Sequence, residues 1–461
     1  MPVVAAYAVP HPPILLPEIG RGEEQKIQKT ARAYAEVMRR VAAHQPDVLI
    51  VTSPHTTLYA DYFHVSPGRG AEGSMARFRA PELSVRADYD AELVQQIALQ
   101  AEKQGISAGT QGERDRSLDH GTLIPLLFLQ KTGFRCPIVR VGLSGLSTAA
   151  HYQFGQCIAH AVDALHRKAV FIASGDLSHK LTADGPYGYA EQGPVFDKAL
   201  TAAFASGRFD DLLAISPLLA ADAAECGWRS FQIMAGALDQ KSVSAELLSY
   251  EGPFGVGYGV AAFEVAGEDC GRNYGQLFEQ AQENQLREIR AREDAYVRLA
   301  RQSAEKFVRS GKRLKLPDTL PQELLQQRSG VFVSLKKDGQ LRGCIGTLSA
   351  AENNLALEII RNAVSAATED PRFEPVRADE LPALVYSVDV LGPMESIPSK
   401  SMLDPAQYGV VVQNGSRRGL LLPALEGVDT VDKQIDIARR KAGIEPDEAV
   451  RLFRFQVVRH V

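Results

Sequence analysis

The chain has 461 residues, 45% hydrophobic and 23% charged, long enough for about two to four domains of ordinary size. Lys and Arg number 51 against 56 Asp and Glu, a formal net charge of −5. That balance lacks the basic face that nucleic acid or an anionic membrane surface requires, and no stretch approaches the ~18 apolar residues of a transmembrane helix.

In chain order, residues 3–9 read as a strand, 23–43 as an amphipathic helix and 47–52 (DVLIVT) as a second strand. Residues 136–141 (CPIVRV) and 169–173 (AVFIA) are further buried strands, and 252–264 is a closing strand with a glycine-rich approach. Near-continuous apolar strands interleaved with helices predict an α/β domain over residues 1–265, its mainly parallel or mixed sheet covered on both faces. The polar segment 266–287 reads as a linker. Beyond it, residues 295–310 form a helix, 331–335 and 340–346 a hairpin around Asp338-Gly339, 354–367 a helix and 383–390 a strand, with another strand beside Tyr408. Residues 288–461 are thus a smaller α+β domain. The five cysteines (Cys136, Cys157, Cys226, Cys270, Cys344) are odd in number and scattered, with no CxxC pair. They predict reduced thiols in a cytoplasmic protein, and the N-terminal stretch has no cationic leader.

The ten histidines are more informative. His11 follows the first strand, His55 the second and His179 the AVFIA strand. In open α/β sheets ligands bind beyond the carboxyl ends of strands. One such histidine would be an ordinary loop or capping residue; three at one edge point to a shared task. Two neutral imidazoles and a carboxylate make the facial triad of non-haem Fe(II) sites. The carboxylate candidate is Glu225, just before the helical pattern of Phe231, Met234, Ala235 and Leu238, where a carboxylate is also what a helix dipole favours. Its neighbour Cys226 is the alternative ligand. His120 precedes an apolar helix with Asp119 placed to cap it; it is either a substrate-facing donor or a local turn histidine. His44, His64, His151, His160, His166 and His460 have no partner spacing and read as structural.

HPP after strand one, SPH after strand two, DHG before the apolar helix and SGDLSH after a later strand resemble the class III extradiol ring-cleavage dioxygenases (the LigB-like group), to which the Memo proteins are related. The resemblance covers residues 1–265. It implies Fe(II), with zinc possible, held by His11, His55 and Glu225, an acid/base role for His179 and a substrate-side role for His120. It also implies a catechol-type or otherwise chelating small-molecule substrate. Memo-type relatives carry a cysteine where the dioxygenases have their carboxylate, and the ECGW segment offers both. If Cys226 faces the metal, a metal-dependent role without ring cleavage gains ground. Substrate walls are expected from residues 59–75 and 181–193.

In residues 288–461, LRGCIGTLSA, EDPRFEPV and RRGLLLPALEGV resemble the AMMECR family. Arg342 could hold an anion there. Gly343 and Gly346 permit a tight backbone around Cys344, which reads as a buried small residue or a nucleophile. Memo-like and AMMECR-like proteins, with a radical SAM protein, make up the AmmeMemoRadiSam set. The fusion therefore implies a radical SAM partner, and relatives suggest a homo-oligomer.

Overall fold

The apolar runs of the first half are the strands of one sheet. The computed structural model describes residues 3–337, 339–425 and 427–461, and the chain divides into two compact units, Met1–Gln282 and Glu283–Val461. In the first unit, β1 (Val3–Val9), α1 (Gln28–His44), β2 (Val48–Ser53), α2 (Ala91–Lys103), α3 (His120–Gln130), β3 (Ile138–Gly142), α4 (Thr148–Ala164), β4 (Ala169–Ser174), α5 (Gln192–Ser206), α6 (Trp228–Ala237), β5 (Lys241–Glu251) and β6 (Tyr258–Glu268) follow one another. The strand order is β3-β2-β4-β1-β6-β5. The first four strands run parallel, while β6 pairs antiparallel with β1 and β5 with β6. The expected α/β architecture is therefore a mixed six-stranded sheet.

Side chains alternate across each strand. Ala5, Tyr7 and Val9 of β1 join α1 and α3 in one core cluster, and Ala6 and Ala8 join α2, α4, α5 and α6 in the other. With both faces covered, the strands are apolar throughout, so they read as continuous runs rather than alternating ones. On the second face α4 and α6 touch backbone to backbone. A Cβ on Gly155 would lie 2.0 Å from the Ile233 carbonyl oxygen, and one on Gly236 would lie 1.9 Å from that of Tyr152. Strand β5 and the hairpin Gly70–Met75/Ala80–Asp88 have half-exposed, polar sequences that the apolar-run criterion passes over.

The segment 266–287 is structured rather than a bare linker. It finishes β6 and enters α7 (Tyr274–Arg292), where Tyr274 and Phe278, four residues apart, pack against the core beneath a polar composition. The second unit contains α8 (Ala295–Ser310), β7 (Val331–Lys337), β8 (Gln340–Gly346), α9 (Leu355–Thr368), β9 (Leu384–Leu391), β10 (Glu395–Ile397), β11 (Gly409–Asn414), β12 (Arg417–Leu421), α10 (Val431–Ala442), β13 (Arg451–Phe455) and β14 (Val457–His460). Two antiparallel sheets, ordered β8-β7-β9-β14 and β10-β13-β11-β12, pack against α8 with α9 and against α10 respectively. At the predicted hairpin Lys337 pairs with Gln340, and Gly339 takes the positive φ of 77° that such a turn requires; Asp338 lies outside the described residues. Among the described residues no helix is long and apolar enough to cross a membrane.

Candidate metal centre

Strand β4 lies between β1 and β2, parallel to both, so the segments that leave these three strands emerge side by side. His11, His55 and Asp176 each stand two residues past their strand. The loop after β4 is pressed onto the start of α6: a Cβ on Gly175 would fall 2.1 Å from the Cα of Gly227, and the Gly227 N–H donates to the Asp176 carbonyl at 3.0 Å. Only two glycines allow that approach, which carries Cys226 to the histidines.

The result is a convergent donor set. His11 Nε2 lies 2.9 Å from His55 Nε2 and 3.6 Å from Cys226 Sγ. Ligand atoms of His11, His55 and Cys226 all fall within 4.8 Å of one another, as do those of a second group, Asp176, His179 and Cys226. The tautomer of His11 follows from its surroundings. The Ser174 hydroxyl donates to the Gly121 carbonyl at 2.7 Å, which can only accept, so Ser174 Oγ accepts from His11 Nδ1–H at 2.9 Å. Gly121 needs that donor because its helical partner position is Pro125, which has no N–H. Nε2 of His11 is left with its lone pair facing His55 and Cys226, the arrangement of a metal-ligating imidazole held by a hydrogen-bonded neighbour.

Electrostatics agree. Burial, followed by repulsion from His55, holds His11 far below the usual imidazole range. Burial also lowers His55 and His179, and it pushes His120 down to about 3, with His55 and His11 adding to the effect. All four rings are neutral at pH 7 and so present lone pairs. Burial raises Asp176 to about 6. The Cys226 thiol is raised by burial and then by Asp176 and Glu225; a bound cation would reverse this, since metal coordination deprotonates a thiol.

The remaining sequence candidates divide. The His120 ring lies beside His55, centroids 4.0 Å apart, at the head of α3, where Asp119 caps Thr122. His179 stands under Tyr187, centroids 5.2 Å apart, and its Nε2 has no hydrogen-bond partner. The structure does not bring Glu225 into the cluster. Its carboxylate accepts from the Trp228 N–H at 2.6 Å, and burial raises it to about 7; it is the helix-start carboxylate, and its neighbour Cys226 occupies the position facing the histidines. In the second unit, Arg342 is not free for an anion: it forks onto Glu380 at 3.0 and 2.9 Å and donates to the Glu374 carbonyl. Cys344 is a half-buried thiol raised by burial, its backbone N–H held by Asp370, which Arg372 grips in turn. Asp176, in the same SGDLSH segment as His179, joins it and Cys226 without being singled out by the histidine pattern.

Beside the cluster opens a cavity of 720 Å³, with His55, His120, Phe78, Arg77, Thr56 and Arg140 among its walls. Its side wall comes from the hairpin 70–88 and from residues 115–120. Of the expected walls, residues 72–74 line it and residues 181–193 do not.

Comparison with known proteins assigns the two segments of the chain to families. Residues 5–261 match the catalytic LigB subunit of aromatic ring-opening dioxygenase, and residues 297–460 match AMMECR1. A Clostridium acetobutylicum protein, CA_C1420, is 40% identical across 98% of both chains. A Thermotoga maritima protein is 52% identical over 36% of this chain and 98% of its own. Among solved structures, the uncharacterized protein JW3007 from Escherichia coli K12 aligns over 57% of this chain and 99% of its own, at 16% identity and a TM-score of 0.39. The uncharacterized protein PH0010 from Pyrococcus horikoshii aligns over 36% and 88%, at 32% identity and a TM-score of 0.34. The chain therefore belongs to the LigB family of aromatic ring-opening dioxygenase subunits, with an AMMECR1 segment fused behind the LigB unit.

Proposed function

We propose that the LigB unit is a metal-dependent oxidoreductase that holds its ion through His11, His55 and Cys226 and acts on a small chelating, catechol-like substrate admitted by the adjoining cavity. The observation that carries this reading is the approach of two neutral imidazole Nε2 atoms and one thiol sulfur around a single point. The donor set fits a first-row transition metal: imidazoles suit iron, zinc and copper, and a thiolate adds soft character. Family membership favours Fe(II); the thiol makes zinc the alternative. When bound, such an ion would polarise the substrate oxygens and, if iron, supply electrons for oxygen chemistry.

The chain's own groups do the rest. Ser174 holds His11 in the tautomer that offers Nε2. His179, neutral and with Nε2 unpartnered, takes a hydroxyl proton from the substrate and returns it later. His120 stands at the cavity wall beside His55, positioned to hydrogen-bond a substrate oxygen. A second reading, metal-dependent chemistry without ring cleavage, is favoured by Cys226 standing where the facial triad would have a carboxylate. The AMMECR1 segment extends either reading to a radical SAM partner, to be sought by pull-down with the full chain, in a cytoplasmic setting that the free cysteines suit.

Metal content of purified wild type, His11→Ala, Cys226→Ser and Glu225→Gln tests the ligand set. Glu225→Gln should keep its metal and the other two variants should lose it; loss in Glu225→Gln alone would refute the assignment. Oxygen uptake with a catechol panel after anaerobic Fe(II) loading then separates the two chemistries. A fully loaded protein that opens no ring would favour the second.

A further inference from the structure

The rim of the first unit carries further donors to which the single-ion reading gives no ligand role. Asp176 and His179 follow β4 on one loop, and that loop is fixed from both sides. Leu177 N–H donates to the Gly257 carbonyl and Gly257 N–H donates to the Ser178 carbonyl, both at 2.8 Å, while His179 N–H donates to the Ala223 carbonyl at 3.0 Å. The buried carboxylate of Asp197 accepts from the Ser178 N–H at 2.8 Å. So held, Asp176 and His179 bring ligand atoms within 4.8 Å of each other and of Cys226.

Each of the three has capacity to spare. Asp176 is 8% exposed, and among the described residues its side chain accepts one hydrogen bond, from the His11 N–H to Oδ1 at 2.8 Å. Its charged neighbours are His179 and His55 rather than an Arg or Lys, and a buried carboxylate without a cation is costly. His179 Nε2 is buried without a hydrogen-bond partner. Cys226 Sγ accepts from the Asp176 N–H at 3.3 Å, a contact that favours the thiolate. It is also the one donor shared by this group and the His11–His55 group.

We propose that Asp176, His179 and Cys226 hold a second divalent transition-metal ion, zinc or iron(II), with the Cys226 thiolate bridging it to the ion on His11 and His55. Carboxylate, imidazole and thiolate are all donors that such ions accept, and a pair of neighbouring ions can clamp two substrate oxygens at once. With both ions bound His179 is a ligand, so its proton transfer belongs to the singly loaded protein. The inference goes beyond the functional proposal and rests on it only for the first ion.

The test titrates cobalt(II), a spectroscopic stand-in for either metal, into the metal-stripped full chain under anaerobic, reducing conditions. Bound metal, thiolate-to-cobalt charge transfer and cobalt electron paramagnetic resonance are followed together. Wild type should take up two equivalents, and the resonance per cobalt should fall as the second enters, because ions that share a sulfur couple magnetically. Asp176→Asn, which keeps an acceptor for the His11 N–H, and His179→Gln should each stop at one uncoupled equivalent. Saturation of wild type at one equivalent overturns the inference whether or not the variants fold, as do two equivalents that never couple. A second equivalent retained in a folded Asp176→Asn or His179→Gln protein overturns it too. His11→Ala separates the two proposals. If it keeps both equivalents while Asp176→Asn loses one, the His11 assignment fails and the second site stands; the converse refutes the second site alone.

Discussion

Ser174→Ala is the most direct test of how the fold prepares the centre. Ser174 is fully buried, and its hydroxyl serves two groups: it donates to the Gly121 carbonyl and accepts from His11 Nδ1. Alanine strands both. The Gly121 carbonyl cannot turn to its own helix because Pro125 offers no N–H. Leaving a buried acceptor and a buried donor unpaired costs about 2–4 kcal/mol together. His11 also loses the contact that fixes its tautomer and ring orientation, so metal affinity should fall about 10–100-fold, as it does when the outer partner of a ligating histidine is removed. The single tryptophan of the chain is Trp228, buried at the start of α6, so its fluorescence during denaturant unfolding reports the first unit alone. Zinc titration against a chromophoric chelator gives the affinity. An unchanged unfolding midpoint together with zinc affinity within about twofold of wild type would refute the reasoning, because such magnitudes are far below what stranded buried partners cost.

Two further outcomes follow from other contacts. Gly236→Ala would drive a methyl into the Tyr152 carbonyl, 1.9 Å from its Cβ; α4 and α6 must separate, and destabilisation of about 3 kcal/mol or more is expected in the Trp228 transition, while an isostable variant would mean the helices are not so close. In the second unit, hydrogen bonds from Arg372 lower Asp370 to about 2. Burial would raise Glu380, yet the Arg342 fork outweighs it and also leaves it at about 2. Carboxylates depressed in the folded state contribute stability above their unfolded pKa and lose it as pH falls through the folded value. Far-ultraviolet circular dichroism of the second unit's transition should therefore weaken between about pH 4.5 and 2, and Arg342→Met should remove part of that dependence; a midpoint flat across the window would contradict the pairing.

Much of the site could be read along the chain because its histidines sit at strand ends, and strand ends in a parallel sheet share a rim. His11 and His55 were visible in this way, as was Asp119 as a cap. Glu225 and Cys226 could not be told apart by position. They are adjacent at a helix start, where successive side chains diverge, and only the seating of Gly175 on Gly227 determines which one faces the histidines. Arg140 carried a signal, a lone charge in an apolar strand, but its partner Asp119 is supplied by the cap of another element, 21 residues earlier. The polar helix α7 hid its period beneath its composition.

The order of residues by itself determined the layered α/β unit, the smaller α+β unit and the rim at which chemistry would gather, because local periodicity and strand length are properties of neighbours along the chain. Tertiary structure alone set which of Glu225 and Cys226 lies beside the histidines, and the tautomer of His11. Those depend on which backbones approach closely enough to exclude water, and that is settled between segments 50 to 165 residues apart.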